Sequence, residues 1–452
     1  MRDVPDNPDQ LAEQALSRLH EGDMEGARDI CLRLLAAHPQ HIVGLQAMAL
    51  AAMRSNRIDE AIVHYGRLAS IQPQPGAYIV LAECLWRAGR VAEALEAADA
   101  ALAIDPSQSG GHVVRSAALH GLGRYEEAID AAVEARRLDP ASHVACARAG
   151  ASLERMGRFD EAARQFGHAS RLGGDAKPYG AVSFDRALYD RLALPRVPEM
   201  LQAVTRPREV APADRRYVVL VCCDATYLRK YGFNFVHSFE ANAAGGNLLH
   251  LHVVDPTSDT AAMLEKIGAE LHPANLTVTV SGSPAGIRSG VARNVYYSCS
   301  RFLLLPQFVA KYAIPIVCMD IDAIVEGSLD GVVDWASRFD VTFVRREPPH
   351  SPWLDVSAGI VAAAPSARSR GYFERVRNYL LDFMDRGIAP WHIDQAALYC
   401  VYRMMGRFDA PPDVGWLPQA VRDRVWQIGH SHDRNLLAPR FTRYSPAAGA
   451  RN

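Results

Sequence analysis

IVCMDIDAIV, residues 316–325, is the stretch that decides how the C-terminal part of the chain folds. Its first four residues form a continuous apolar run, which is typical of a strand buried on both faces. Asp320 ends that run, and Asp322 follows two residues later. Because residues i and i+2 of an extended chain point the same way, we expect both carboxylates on one side of a strand end. Two carboxylates this close repel each other, and a hard divalent cation is the simplest way to hold both.

The residues around this stretch alternate between predicted strands and predicted helices. Strands are predicted over 217–223, which is a continuous apolar run, and over 248–254, 276–281 and 314–319, and helices are predicted over 227–243, 258–270 and 295–311. This alternation indicates an α/β domain built on an open parallel or mixed sheet. Ligands bind such sheets beyond the carboxyl ends of the strands, so Asp224, Asp255 and Asp320 are the first candidates for chemistry.

The first third of the chain repeats itself. The segments GDMEGA (22–27), NRIDEA (56–61), GRVAEA (89–94), GRYEEA (123–128) and GRFDEA (157–162) recur every 33 or 34 residues. Each unit predicts a helix, a turn and a second helix, and a proline closes most of them. One such unit cannot bury its own apolar face, so the units must stack.

This period resembles the tetratricopeptide repeat over residues 8–172. The resemblance implies an α-solenoid of about five repeats over residues 1–175, which offers a surface to a protein or peptide partner. A spacer or dimerisation arm is the alternative interpretation. The proline-rich residues 176–215 are predicted to be a linker whose segment 183–194 caps the last repeat.

A second resemblance covers residues 217–436. The helix that carries Arg301, the strand and the D-x-D stretch resemble the central signature of GT-A-type nucleotide-sugar transferases, most nearly those of family 8. Three further pieces resemble that family in the same order: SAGIV (357–361), WHIDQ (391–395) and VWQIGHSH (425–432). The resemblance implies a GT-A-like, Rossmann-like domain over residues 216–440, with a flexible tail at 441–452.

The family resemblance also implies a metal site. Asp320 and Asp322 would bind Mn²⁺ or Mg²⁺ on the donor diphosphate, with Asp320 also near the ribose. The third ligand would be His430, with His432 as the alternative. Family 8 enzymes usually carry a diphosphate-binding Lys after this His, and Arg434 is the candidate substitute here.

The remaining roles concern the donor and the acceptor. Asp224 and Tyr227 would lie at the base and ribose, and Arg301 near the diphosphate or the sugar. Asp394 and Gln395 would face the donor sugar or the acceptor. Structural alternatives stay open, because Arg301 could pair with any nearby acid and Asp394 could cap the helix that begins near Gln395.

The expected function is that of a hexosyltransferase-like glycosyltransferase, with a nucleotide-diphosphate sugar as donor and an acceptor that the repeats recruit. One alternative is a non-enzymatic interaction scaffold with a degenerate transferase domain. Another is a phosphatase of the haloacid-dehalogenase type, whose first motif is also an apolar strand followed by Asp-x-Asp. That motif usually continues with Gly, whereas this chain has Ala323.

Composition narrows the class of protein. The 452 residues are 49% hydrophobic and 22% charged, as in ordinary globular proteins. The net charge of −2 gives no reason to expect a nucleic-acid partner. The N-terminus has no secretory signal pattern and no apolar run is long enough to span a membrane, so a cytoplasmic location is expected.

Overall fold

The computed structural model describes residues 7–173, 178–196, 205–208, 210, 214–243, 245–270, 275–284, 290–345, 356–418 and 425–427. The chain divides into two compact units, the first from Met1 to Gly173 and the second beginning at Gly174. Within the described part of the chain, no helix combines the length and apolar character needed to cross a membrane.

The first unit consists, within residues 7–173, of ten α-helices in five antiparallel pairs. These are α1 Pro8–Glu21, α2 Met24–Ala37, α3 Ile42–Arg54, α4 Ile58–Ile71, α5 Pro75–Arg87, α6 Val91–Ile104, α7 Ser109–Gly121, α8 Tyr125–Leu138, α9 His143–Arg155 and α10 Phe159–Gly173. The repeating alanine of each unit is fully buried, for example Ala94 and Ala128. A methyl group at these positions lets neighbouring helices approach closely, which explains the period seen in the sequence.

The turn inside each repeat depends on a left-handed residue. Gly22, Gly89, Gly123 and Gly157 have φ between 75° and 81°, and Asn56 takes the same role at φ 59°. Glycine adopts this conformation without steric cost, and asparagine is one of the few other residues that tolerate it. The sequence pattern therefore marks the place where each first helix ends.

The second unit is built on a mixed sheet. Its strands are β1 Thr205–Arg208, β2 Val218–Asp224, β3 Leu248–Val254, β4 Leu276–Ser281, β5 Ile316–Met319, β7 Val341–Arg345, β8 Val356–Ala363 and β9 Val414–Trp416. They lie in the order β1-β4-β3-β2-β5-β8-β7-β9. The central strands β4, β3, β2 and β5 are parallel, whereas β8 runs antiparallel to β5. A separate antiparallel pair joins β6 Ala323–Val325 to β10 Val425–Gln427.

Helices cover both faces of this sheet. They are α11 Arg186–Leu192, α12 Ala225–Asn242, α13 Thr260–Glu270, α14 Gly290–Tyr312, α15 Asp330–Ala336, α16 Ala367–Asp385 and α17 Ile393–Phe408. Phe235 and Phe239 of α12 join Val219 and Val221 of β2 in one apolar core. The residues that alternate with these along the strands face α14. On that side of the sheet, the Tyr312 hydroxyl of α14 lies 2.8 Å from Nδ1 of His250 in β3. The expected open mixed sheet with flanking helices is present.

Residues predicted as a linker contribute to the second unit. Strand β1 pairs with β4 at the edge of the sheet. Helix α11 packs elsewhere in this unit, against α16 and α17: the Tyr189 hydroxyl donates to Asp409 at 3.1 Å, and Asn378 donates to the Leu192 carbonyl at 2.8 Å. We therefore assign α11 to the α/β unit instead of treating it as a cap on the repeats.

Candidate functional site

A cavity of about 230 Å³ opens at the carboxyl ends of β2 and β5. Asp224 closes β2 and Asp320 follows β5, and both line this cavity. Because the two strands are parallel neighbours, their carboxyl ends meet at the same edge of the sheet. Two of the three strand-end acids selected from the sequence, Asp224 and Asp320, therefore meet at one cavity.

The D-x-D stretch lines the cavity with both of its carboxylates. Asp320 and Asp322 are both among the lining residues. The chain between them is a turn, in which the Ala323 amide donates to the Asp320 carbonyl at 3.2 Å. The prediction that both acids share one side agrees with the structure, but a turn brings this about instead of the expected extended chain.

Small residues of β8 leave room beside these acids. Met319, the last residue of β5, pairs with Ile360, so Ser357, Ala358 and Gly359 continue β8 past the end of β5. These three residues line the cavity. Larger side chains at these positions would occupy the space next to Asp320, which gives the SAGIV stretch a steric role.

Arg301 connects two parts of the site. Its guanidinium donates to Asp320, and Nη2 lies 3.5 Å from Asp394 Oδ2. The residue is only 4% exposed. Burial alone would lower the pKa of Arg301, but the carboxylates of Asp320 and Asp394 raise that pKa well above its ordinary value. Arg301 is thus a permanent, buried positive charge, and its Nε has no hydrogen-bond partner among the described residues.

The start of α17 supplies the other side of the cavity. The helix begins at Ile393, and His392 is its N-cap with a left-handed φ of 67°. Asp394 therefore lies inside the first turn, so the interpretation of Asp394 as the helix cap is wrong. Burial raises the pKa of Asp394 above its ordinary value, although Arg301 opposes the shift. Gln395 is 4% exposed, and its Oε1 has no partner within the described residues.

Asp224 and Tyr227 form the rim near α12. Asp224 caps this helix, since its Oδ1 accepts from the Tyr227 amide at 2.7 Å. The Tyr227 side chain is 48% exposed and lines the cavity. Burial and then the negative charge of Asp322 raise the pKa of Tyr227. The capping role is structural, and it leaves the Tyr227 ring available to a ligand.

Asp255 is the third strand-end acid. Unlike Asp224 and Asp320, it is not one of the residues that line the cavity. Its carboxylate accepts from the Ser283 amide and hydroxyl, both at 2.7 Å, and from the Tyr297 hydroxyl at 2.8 Å. Arg293 Nη2 lies 3.3 Å away. Asp255 thus ties β3 and β4 to α14 behind the cavity wall.

Sequence reasoning missed part of that wall. Asn294, Tyr297 and Ser298 line the cavity together with Arg301. Their spacing of i, i+3, i+4 and i+7 places them on one face of α14. That spacing is the sequence signal that could have identified the wall. A helix face with aromatic and polar residues next to a sheet is, however, more often interpreted as a packing surface than as part of a binding site.

The residues around the D-x-D turn supply only part of the ligand set that a hard divalent cation needs. Two carboxylates fit a cation that also binds substrate phosphates and water. The described residues contain no group of three His, Cys, Asp or Glu side chains placed to hold a metal. His430, His432 and Arg434 lie outside the described residues. Strand β10 ends at Gln427 opposite Ala323, the residue after Asp322, so this strand end lies beside the D-x-D turn.

Comparisons with known proteins bear on the repeats. Residues 47–109 match the model of the tetratricopeptide repeat family. MamA from Desulfovibrio magneticus RS-1 is 19% identical over 38% of this chain and 97% of its own, with a TM-score of 0.35. The thermophilic tetratricopeptide repeat protein TTC0263 of Thermus thermophilus is 21% identical over 37% of this chain and 91% of its own, with a TM-score of 0.31.

YrrB, described as a tetratricopeptide repeat protein with an unusual peptide-binding site, is 13% identical over 38% of this chain and 88% of its own, with a TM-score of 0.34. No functional argument follows from structural similarity at this level. The search of curated proteins found no match. The family match and the ten paired helices together establish the N-terminal array as tetratricopeptide-type repeats.

Proposed function

We propose that the second unit is a metal-dependent glycosyltransferase that takes its sugar from a nucleotide-diphosphate donor. The observation that carries the proposal is the buried Arg301, shared between Asp320 and Asp394 at a cavity that Asp322 also lines. Among the described residues, four aspartate side chains and a single guanidinium line the cavity, so the site has an excess of acidic groups that a divalent cation would balance.

Each residue then has a defined task. Asp320 and Asp322 would hold Mn²⁺ or Mg²⁺, with His430 as the third ligand. The bound metal would act as a Lewis acid on the negative charge that develops on the leaving diphosphate. Arg301 would keep Asp320 in place and add a fixed, buried positive charge.

The donor and acceptor ends of the cavity differ in chemistry. The half-exposed ring of Tyr227, next to the cap formed by Asp224, offers a flat surface for the nucleoside. Asp394 and the carboxamide oxygen of Gln395, which has no partner in the part of the chain that the structure describes, offer hydrogen-bond acceptors to sugar hydroxyl groups. The sugar would thus lie between the D-x-D turn and the start of α17.

The repeats would bring the acceptor. Stacked tetratricopeptide-type helices form extended surfaces that bind proteins or peptides. We propose that the first unit binds a protein that is modified by the second unit. The scaffold alternative keeps this partner but removes the catalysis, so the two hypotheses differ only at the cavity.

Turnover assays separate these functions. We expect slow, Mn²⁺-dependent hydrolysis of one sugar nucleotide from a panel by the full chain, and we expect Asp322→Asn to abolish this hydrolysis. Asp259→Asn is the matched control, because Asp259 is an exposed acid paired with Arg229. Equal hydrolysis by the wild type and Asp322→Asn would refute the proposal.

The phosphatase alternative predicts a different product. Asp320 would then be the nucleophile, and the protein would release phosphate from a simple aryl phosphate. The ion pair of Asp320 with the buried Arg301 argues against this role, because the guanidinium stabilises the carboxylate and lowers its nucleophilicity. Phosphate release that is lost in Asp320→Asn would favour the phosphatase.

A further inference from the structure

Apart from Arg301, the cavity wall on α14 has no role in the proposed reaction. Asn294, Tyr297 and Ser298 share the face of α14 that ends at Arg301, and all four residues line the cavity. Arg301 points at the two acids that would handle the diphosphate and the sugar. The other three residues are nearer the start of the helix, and one of them, Tyr297, contacts Asp255 after the end of β3.

Tyr297 is fixed in a single position on this wall. Its hydroxyl donates to Asp255 at 2.8 Å and also accepts from Arg293 Nε. The Arg293 guanidinium carbon lies 5.5 Å from the centre of the Tyr297 ring. Burial and the hydrogen bond to Asp255 raise the pKa of Tyr297 to about 12. Because its hydroxyl is occupied by these two residues, Tyr297 presents ring surface to the cavity.

Asp255 is unusual because of its backbone. It has a φ of 50°, in the left-handed region that side-chain-bearing residues rarely adopt. Its amide donates to the Ser281 carbonyl at 2.8 Å, and its carboxylate binds both polar groups of Ser283. Such a conformation persists where surrounding contacts determine it, and it is commonest at functional sites. Asp255 therefore joins the ends of two strands to the first turns of α14.

Asn294 supplies the polar group beside the fixed ring. It is exposed and lines the cavity, so its carboxamide is open to a ligand. A carboxamide offers a donor and an acceptor side by side, which matches the adjacent donor and acceptor on the edge of a nucleobase. An aromatic surface next to a carboxamide is a combination that recognises a planar heteroaromatic ring with a hydrogen-bonding edge.

We infer that the α14 wall formed by Asn294 and Tyr297 selects the nucleobase of the donor, and that Asp255 is the positioning residue that holds this wall. The inference rests on the proposed function, because it concerns the base of the same donor. Tyr227 lines the same cavity from α12 and is available to the same ring system. Asn294 reads the edge of the base, so the choice among nucleotides depends on this wall.

The test is isothermal titration of the full chain with Mn²⁺ and UDP, GDP, ADP, CDP or pyrophosphate. We expect one nucleoside diphosphate to bind more tightly than pyrophosphate. Asn294→Ala should weaken the binding of that nucleotide by about three- to tenfold, the contribution of one hydrogen bond, and leave the affinity for pyrophosphate unchanged. Gln307→Ala is the matched control, because it removes a carboxamide from α14 at a position that does not line the cavity.

The positioning role has its own variants. Tyr297→Phe and Asp255→Asn should each reduce the preference for that nucleotide over the others, and the double variant should be no worse than the poorer single variant. Tyr297→Phe removes only the hydroxyl, so it remains informative if Asp255→Asn fails to fold.

Three results would overturn the inference. In the first, Asn294→Ala weakens the binding of pyrophosphate and of nucleotides equally. In the second, the wild type binds pyrophosphate as tightly as every nucleotide, which leaves the proposed function intact. In the third, the wild type binds neither pyrophosphate nor any nucleotide, and the proposed function falls as well.

Discussion

Replacement of Arg301 by Met tests the electrostatic account of the site without requiring a substrate. The wild-type Arg301 side chain is 5% exposed and pairs with Asp320 and Asp394, whose side chains are 29% and 9% exposed. Removing it leaves two carboxyl groups close together with little solvent. Breaking a buried pair from one side costs about 3–5 kcal/mol. For a unit of this size we expect the melting temperature to fall by about 6–20 °C.

The loss should depend on pH in a particular direction. Burial already raises the pKa of Asp394, and without Arg301 that pKa will rise further. A carboxyl group with a raised folded pKa binds more protons when folded, so its variant loses stability as pH rises through the interval between the unfolded and folded pKa values. Arg301→Met should therefore be least destabilised near pH 4 and most destabilised at neutral pH.

Thermal unfolding at pH 4.5, 6 and 7.5 measures this effect. Arg229→Met is the matched control, because Arg229 and Asp259 form an ion pair with both side chains about half exposed, and such pairs contribute little. Adding Asp394→Asn to Arg301→Met should recover part of the lost stability. The reasoning is refuted if Arg301→Met melts like the control, or if its loss is the same at all three pH values.

Two other predictions concern stability away from the cavity. Burial lowers the pKa of His252 from 6.5 to about 3, so its contribution to stability is complete above pH 6.5 and declines as pH falls. The variant His252→Asn should therefore reduce the slope of the unfolding free energy against pH by about 1.4 kcal/mol per pH unit between pH 6 and 4. Urea unfolding measures this slope, and an unchanged slope would contradict the burial argument. In the repeats, Gly89→Ala should destabilise the protein by about 1–2 kcal/mol because the φ of Gly89 is 79°. Gly66 lies within α4 with open space around it, so Gly66→Ala should stabilise the protein by about 1 kcal/mol. Equal effects of the two variants in thermal unfolding would show that the left-handed turn conformation does not determine the cost.

The sequence predicts most of the elements because the physical signals are local. Strands 248–254 and 276–281 have the predicted bounds, since the first is a mostly apolar run that ends at Asp255-Pro256 and the second alternates apolar residues with Thr and Ser. The repeat helices follow from a period marked by left-handed turns and buried alanines. Helix α14 begins at Gly290, five residues before the predicted start at 295, because its first turns lack apolar spacing.

The site is less predictable because its contacts are distant in sequence. The sequence indicates that Asp320 and Asp322 share a side, yet the turn that achieves this is a detail of the backbone. Nothing local shows that Arg301 pairs with Asp394, 93 residues away. The role of Asp255 depends on how α14 is rotated against β3 and β4, and this rotation is set by packing across the whole sheet.

Calorimetric titration of nucleoside diphosphates tests the central claim most directly. The account predicts that the full chain binds one nucleoside diphosphate with Mn²⁺, that a chelator abolishes the binding, and that Asp322→Asn abolishes it while Asp259→Asn does not. Folded wild-type protein that binds no nucleoside diphosphate with Mn²⁺ present would contradict the account, and the repeats would then be the functional part of an interaction scaffold.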